Sequence, residues 1–254
     1  MSKLEEKLAK SLTAETTELI PFLPYLLQDL WDMGSSPRDM EALIGKHVPA
    51  PEKAKVLDLA CGKGAVGIHL AKTFGCTVKG VDLLPEFIEE ARKRAVEHGV
   101  EALCSFRVED ANQAVEKERN YDIVILGAAG DVLGSPKETV EKLKPAVKPS
   151  GHILIDDAYV PEGSPMDYPT RADWLEVFRE VGVRLVDELA FDGAALTALN
   201  ETQQACIRTR ARELQVLHPE KTALFEGYVQ SQEAECEELE GEMTALTWLL
   251  QKSE

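Results

Sequence analysis

One glycine run and three acidic positions stand out as able to do chemistry together. Gly62-Lys63-Gly64-Ala65-Val66-Gly67 matches G-x-G-x-x-G, and Asp82 follows Gly62 by 20 residues. This is the spacing of a dinucleotide fingerprint, in which glycines let the backbone bend sharply and approach a ligand seated at a helix N-terminus. The run has the context that mechanism needs: it follows the apolar VLDLA and opens GAVGIHLAKTF, a strand–turn–helix arrangement. Asp58 lies four residues before Gly62, and Glu109-Asp110 closes another apolar run, RVEDA.

The acids discriminate between adenosine-bearing ligands. Asp58 suits a cationic ligand with an amino group and is poorly placed beside a pyrophosphate. Ala60-Cys61 lengthens the turn before the first fingerprint glycine, and Glu109-Asp110 sits where an adenine amino group needs an acceptor. The chain has no Tyr-x-x-x-Lys pair of the kind short-chain dehydrogenases use, and no G-x-x-x-x-G-K-[ST] phosphate loop. These features favour S-adenosylmethionine over NAD, with an NAD(P)-dependent oxidoreductase as the alternative enzyme.

The elements that must position these residues follow from the apolar pattern. From Lys55 onward short apolar runs alternate with helical stretches: VLDLA, TVKGVDL, ALCSFRVED, YDIVILGA, GHILIDDA and VRLVDELAF, separated by amphipathic segments. Such alternation predicts βαβ units and a doubly wound, mostly parallel α/β sheet with helices on both faces. Continuous apolar stretches such as IVIL fit burial on both faces. Residues 195–216 and 219–240 read as two helices, and MTALTWLLQK as a seventh strand returning antiparallel. Residues 1–50 read as broken helices, with Ser36 capping a helix whose first position is Pro37. The expected organisation is an N-terminal helical lid over 1–50 and a ligand-binding domain over 51–254, with 195–240 inserted as a helical cap.

Composition narrows the partners. Forty-five Asp and Glu against 28 Lys and Arg give a net charge of −17, which repels phosphate backbones and argues against a nucleic-acid partner. The five cysteines are scattered with no C-x-x-C, as in a reducing compartment, and no run is apolar enough to cross a membrane. A cytoplasmic protein, monomeric or homodimeric, is expected.

With these residues in view, VLDLACGKG resembles motif I of the class I S-adenosylmethionine-dependent methyltransferases, D/E-x-G-x-G-x-G. GVDLLPEFIEEARKRA, VEDA, YDIVILGAAG and LKPAVKPSGHILIDD resemble the later motifs of that family, in order, over about residues 50–190. The resemblance implies a Rossmann-like fold, S-adenosylmethionine as cofactor and S-adenosylhomocysteine as product. Carried over by residue, Asp58 orients the methionine amino group, and Ala60, Cys61, Gly62 and Gly64 line methionine and ribose. Asp82 accepts the ribose hydroxyls, Leu83 lies against adenine, and Glu109, Asp110 and Ala111 serve the adenine edge. Gly127 passes close to the methionine part. The departure is Ala60, which stands where the motif has its first glycine, so the backbone geometry there is the point to check.

The implied activity is methyl transfer to a small-molecule N, O or S nucleophile. Candidate residues on the acceptor side are Asp131, Asp157 and Tyr159, which follow the fourth and fifth strands. Carboxylates there favour a neutral or cationic acceptor. Asp131, Asp156 and Asp157 are not expected to hold a metal, because the Asn expected to follow is missing and Asp156 is expected to point away. Phe22, Tyr25 and Trp31, together with the WDMGSSP stretch, are candidates to shelter the methyl group. A catalytically silent adaptor retaining the fold is the alternative from outside enzymology.

Overall fold

The computed structural model of the chain describes residues 3–252. Its elements run α1 (Lys3–Ser11), α2 (Leu23–Leu26), α3 (Pro37–His47), β1 (Lys55–Leu59), α4 (Ala65–Phe74), β2 (Thr77–Asp82), α5 (Pro85–Glu97) and β3 (Cys104–Val108). They continue with α6 (Ala111–Lys117), β4 (Tyr121–Leu126), α7 (Pro136–Leu143), β5 (Val147–Tyr159), α8 (Arg171–Val181), β6 (Val183–Ala190), α9 (Gly193–Leu217), α10 (Thr222–Glu240) and β7 (Thr244–Lys252). The seven strands form one sheet in the order β3-β2-β1-β4-β5-β7-β6. Strands β1 to β5 pair in parallel, and β6 pairs antiparallel with β7. The order reverses between β1 and β4, the switch point where open α/β sheets bind ligands beyond the strand ends.

Both sheet faces are covered, as the unbroken apolar strands require. One face carries Leu57, Leu59, Val124, Leu126, Ile153 and Ile155, all buried. Against it pack Trp174 and Phe178 of α8 and Trp248 of β7, with ring centroids 5.4–6.2 Å apart. The Trp174 indole N–H donates to the Ala158 carbonyl at 3.0 Å, so its polar edge is satisfied inside the core. On the other face Gly67 of α4 meets Val78 and Asp58 so closely that a Cβ would sit 2.8 Å from Val78 Cγ1. That close packing brings the start of α4 down beside Asp58.

The chain divides into two compact units: Met1–Trp31 with Phe191–Thr244, and Asp32–Ala190 with Ala245–Glu254. The division falls after Trp31, not after residue 50 as the sequence had suggested. Residues of α3 explain it, since Met40, Leu43 and Ile44 are buried and Gly45 lies 3.6 Å from the Phe74 ring of α4 when given a Cβ. In the smaller unit Phe22 packs edge-on against His218 and Phe225, and Arg210 pairs with Asp29. Helices α9 and α10 are joined by Asn200–Glu240, Gln204–Cys236 and Arg208–Glu233 contacts, a ladder whose falling partner numbers mark an antiparallel pair.

Candidate functional site

Strand register decides which side chains meet at the switch point. Gly80, Asp58, Ile125 and Leu154 are partners across β2, β1, β4 and β5, and therefore share one sheet face. Two residues further along, at the strand tips, stand Asp82, Ala60, Gly127 and Asp156. The Cβ position of Gly127 is 3.5 Å from Asp156 Oδ2, whereas Ala60, past the end of β1 and left-handed, packs toward the Leu57 and Leu59 cluster. The row reads acid, small, small, acid. At about 4.8 Å per strand it spans about 14 Å, with Asp58 one row deeper beneath its floor. A trough bounded by carboxylates and floored by residues with little side chain results.

The bend after β1 shapes the floor. Ala60, Gly62 and Gly64 all have left-handed backbone, with φ of 52°, 51° and 75°. Alanine thus keeps the conformation that a glycine would hold there, at a cost of about 1–2 kcal/mol. Cys61 donates its N–H to the Val81 carbonyl at 2.9 Å, and its thiol packs over Gly80. Burial pushes that thiol well above its ordinary pKa, so Cys61 is a packing residue and not a thiolate. Gly64 precedes α4 and lies against Phe106 and Ala91 too closely for any Cβ.

Asp82 accepts from the Gly62 N–H at 2.9 Å and from the Leu84 N–H at 3.0 Å, one on each oxygen. Burial raises its pKa, opposed by the N–H groups of Leu84, Gly62 and Leu83. Each oxygen keeps a second lone pair for a hydroxyl donor. Next to it, Leu83 is half-buried, and Glu109 donates its backbone N–H to the Asp82 carbonyl while its carboxylate stands 3.6 Å from Lys117. Asp110 caps α6, accepting from the Asn112 N–H at 2.9 Å on Oδ1, and Ala111 is the buried first residue of that helix.

Two acids are far more buried. Asp58 is 2% exposed, and its Oδ2 has no hydrogen-bond partner. Burial pushes its pKa to about 7, the Gly67 N–H opposes, and the charges of Asp82 and Asp156 add to the rise. Asp156 is 5% exposed, with Oδ1 accepting from the Thr247 hydroxyl at 2.6 Å and Oδ2 unpartnered. Burial takes it also to about 7, and Asp39 adds repulsion. Buried carboxyls without partners are costly, and a bound cation is the simplest way to stabilise them. The residues present therefore fit a cationic adenosyl ligand: hydroxyl acceptors at Asp82, a small-residue floor, and uncompensated acids at the far end.

Asp156 turns into the trough, contrary to the sequence expectation, because parity along β5 sends Asp157 to the opposite face. There Asp157 accepts from the Tyr168 hydroxyl at 2.5 Å and from the Ala158 N–H at 2.7 Å, with burial raising its pKa. Tyr159 is on that face too, 6.2 Å from the Trp248 ring. Asp131 is exposed on a short 3₁₀ turn, Gly130–Leu133. The trough thus gathers Asp58, Ala60, Cys61, Gly62, Gly64, Asp82, Leu83 and Gly127, with Glu109, Asp110 and Ala111 at the end of β3, whereas Asp157 and Tyr159 lie on the opposite sheet face. Phe22 and Tyr25 are engaged inside the smaller unit, the Tyr25 hydroxyl donating to Glu213 at 2.7 Å. Asp156 with its Thr247 clamp escaped sequence reasoning, because its position depends on strand register. Residues 33–35, which reach Gly62 and Gly127, belong to the WDMGSSP stretch that the sequence singles out. Among the described residues no His, Cys, Asp or Glu group of three or more is arranged to hold a metal, and no helix is long and apolar enough to cross a membrane.

Residues 51–238 match the methyltransferase domain family over most of the chain. The chain belongs to that family. As a methyltransferase-domain protein it shares its fold with an S-adenosylmethionine-dependent methyltransferase from Geobacter sulfurreducens in complex with S-adenosylhomocysteine. That likeness has a TM-score of 0.75 and 20% identity, and covers 91% of this chain and 97% of that one. Norajmaline N-methyltransferase of Rauvolfia serpentina is 28% identical over 107 residues, 42% of this chain and 37% of the relative. Ubiquinone biosynthesis O-methyltransferase of Vibrio parahaemolyticus is 34% identical over 102 residues, 40% and 42% of the two chains. The chain spans between 37% and 59% of the length of the first curated relatives it matches. Both N- and O-methyltransferases are among those relatives.

Proposed function

We propose that this chain transfers a methyl group from S-adenosylmethionine to a small-molecule N, O or S nucleophile, by in-line displacement at the methyl carbon. The observation that carries the reading is the acid–small–small–acid row at the strand tips with the uncompensated Asp58 beneath it. Bound there, the cofactor would supply the reactive S-methyl group, and the protein's part is to bind, orient and exclude water. Asp82 would accept the ribose hydroxyls on its free lone pairs. Asp58 would face the amino group, Asp110 and the Ala111 N–H the adenine edge, and Gly127 the amino-acid chain. Family membership and the lack of any dehydrogenase acid–base pair favour this over the nicotinamide alternative. The intact acids favour it over a silent adaptor.

On the acceptor side, Asp131, exposed on the turn after β4, remains the proposed residue, and an acidic surrounding favours a neutral or cationic acceptor. Asp157 and Tyr159, held on the opposite sheet face by Tyr168 and Trp248, are withdrawn from that role. The test is a screen of amines, phenols, thiols and carboxylic acids for S-adenosylhomocysteine release. Turnover confined to neutral or cationic compounds is expected. Protection against heating by NADH but not by S-adenosylhomocysteine would overturn the reading.

A further inference from the structure

Residues 33–35 cross the trough's inner end as a strap. A Cβ added at Gly62 would meet Met33 Cε at 2.4 Å, one at Gly127 would meet Ser35 Oγ at 2.3 Å, and one at Gly34 would meet Ala128 Cβ at 2.8 Å. Three consecutive residues therefore rest directly on the tips of β1 and β4. Gly34, with φ of 85°, allows the sharp bend between them. Beyond the strap Ser36 accepts from the Asp39 N–H at 3.3 Å and starts α3, so the strap is anchored to a packed helix on one side.

Beneath the strap lies Asp156 Oδ2, which is 3.5 Å from the Cβ position of Gly127. The Ser35 hydroxyl and the Ser36 N–H are near enough to favour its charged form, yet Oδ2 closes no hydrogen bond of normal geometry. Oδ1 is already held by Thr247. A buried oxygen left open beside two donors is a strong incentive to close the remaining gap.

We propose that Asp156 is a positioning residue for cofactor binding: clamped at one oxygen by Thr247, it takes the Ser35 hydroxyl and the Ser36 N–H on the other and draws the strap shut over the amino-acid end of the cofactor. The proposal rests on the cofactor reading above. It makes Asp156 act through the strap and not by touching the ligand.

The test is calorimetric titration with two probes, S-adenosylhomocysteine and 5′-methylthioadenosine, which lacks the amino-acid end. Asp156→Asn should weaken S-adenosylhomocysteine binding about 10-fold or more and leave 5′-methylthioadenosine within about 2-fold. Ser35→Ala, which keeps Asp156 intact, should show the same selective loss at smaller size. Hydrogen exchange at residues 33–36 in the S-adenosylhomocysteine complex should quicken in both variants. Equal losses for the two probes, or a Ser35→Ala protein that binds and exchanges like the parent, would overturn the proposal. Absence of binding by the unaltered chain to either probe would instead sink the cofactor reading.

Discussion

Binding of S-adenosylhomocysteine should expel protons from this protein near neutral pH. In the unliganded chain Asp58 and Asp156 each have a pKa raised by burial to about 7. The groups around Asp58 are the Gly67 N–H and the carboxyls of Asp82 and Asp156; those around Asp156 are Thr247, Ser35, the Ser36 N–H and Asp39. The ligand's ammonium would bring a positive charge to these acids. It favours the ionised acids and pulls their pKa values down, so binding releases protons and tightens as pH rises. A group with pKa of about 7 is about 10% ionised at pH 6.0 and about 75% at pH 7.5, which makes the gain about 8-fold if one acid must ionise and about 60-fold if both must. Titration calorimetry at pH 6.0 in two buffers of different ionisation enthalpy reads the proton count directly, with about one to two protons released. Affinity that stays flat, or that improves on acidification, would refute the coupling of Asp58 to the ligand's amino group and of Asp156 to closure of the strap.

The same burial predicts how stability responds. A folded pKa of about 7 against 3.8 unfolded means that the native state holds the extra proton, so the stability these acids contribute is full below about pH 4 and is lost as pH rises through 7. Asp58→Asn should therefore stabilise the unliganded fold at pH 8 by about 1–4 kcal/mol while weakening ligand binding, as read by chemical denaturation and calorimetry. Asp82→Ala should weaken S-adenosylhomocysteine by about 1–3 kcal/mol; an unchanged dissociation constant would remove it from the ribose. Ala60→Gly relieves a left-handed alanine but loosens the unfolded chain, so net stability should move by less than about 1 kcal/mol with affinity retained.

Local pattern carried most of the sheet. Strand–helix alternation, the glycine bend and the threonine-rich final run each act over a few residues, and the elements formed where those residues fall. What local pattern could not carry was register. Asp156 and Asp157 are neighbours in sequence and opposites in space, and which of them faces Gly127 depends on how β5 slides against β4. That pairing includes a shift between Tyr121 and Ile123 and a left-handed Ser150 inside β5. The unit boundary was hidden for a related reason. Phe22 finds His218 and Phe225, and Asp29 finds Arg210, across more than 180 residues of intervening chain. No window of sequence contains both halves of such a contact.

Strand β7 sits between β5 and β6 although it follows every other strand in the chain. Residues 244–252 therefore join β5 to β6 from within the sheet, and the hydroxyl that steadies Asp156 comes with them. Loss of that one strand would remove at once the link between β5 and β6 and the hydroxyl that holds Asp156.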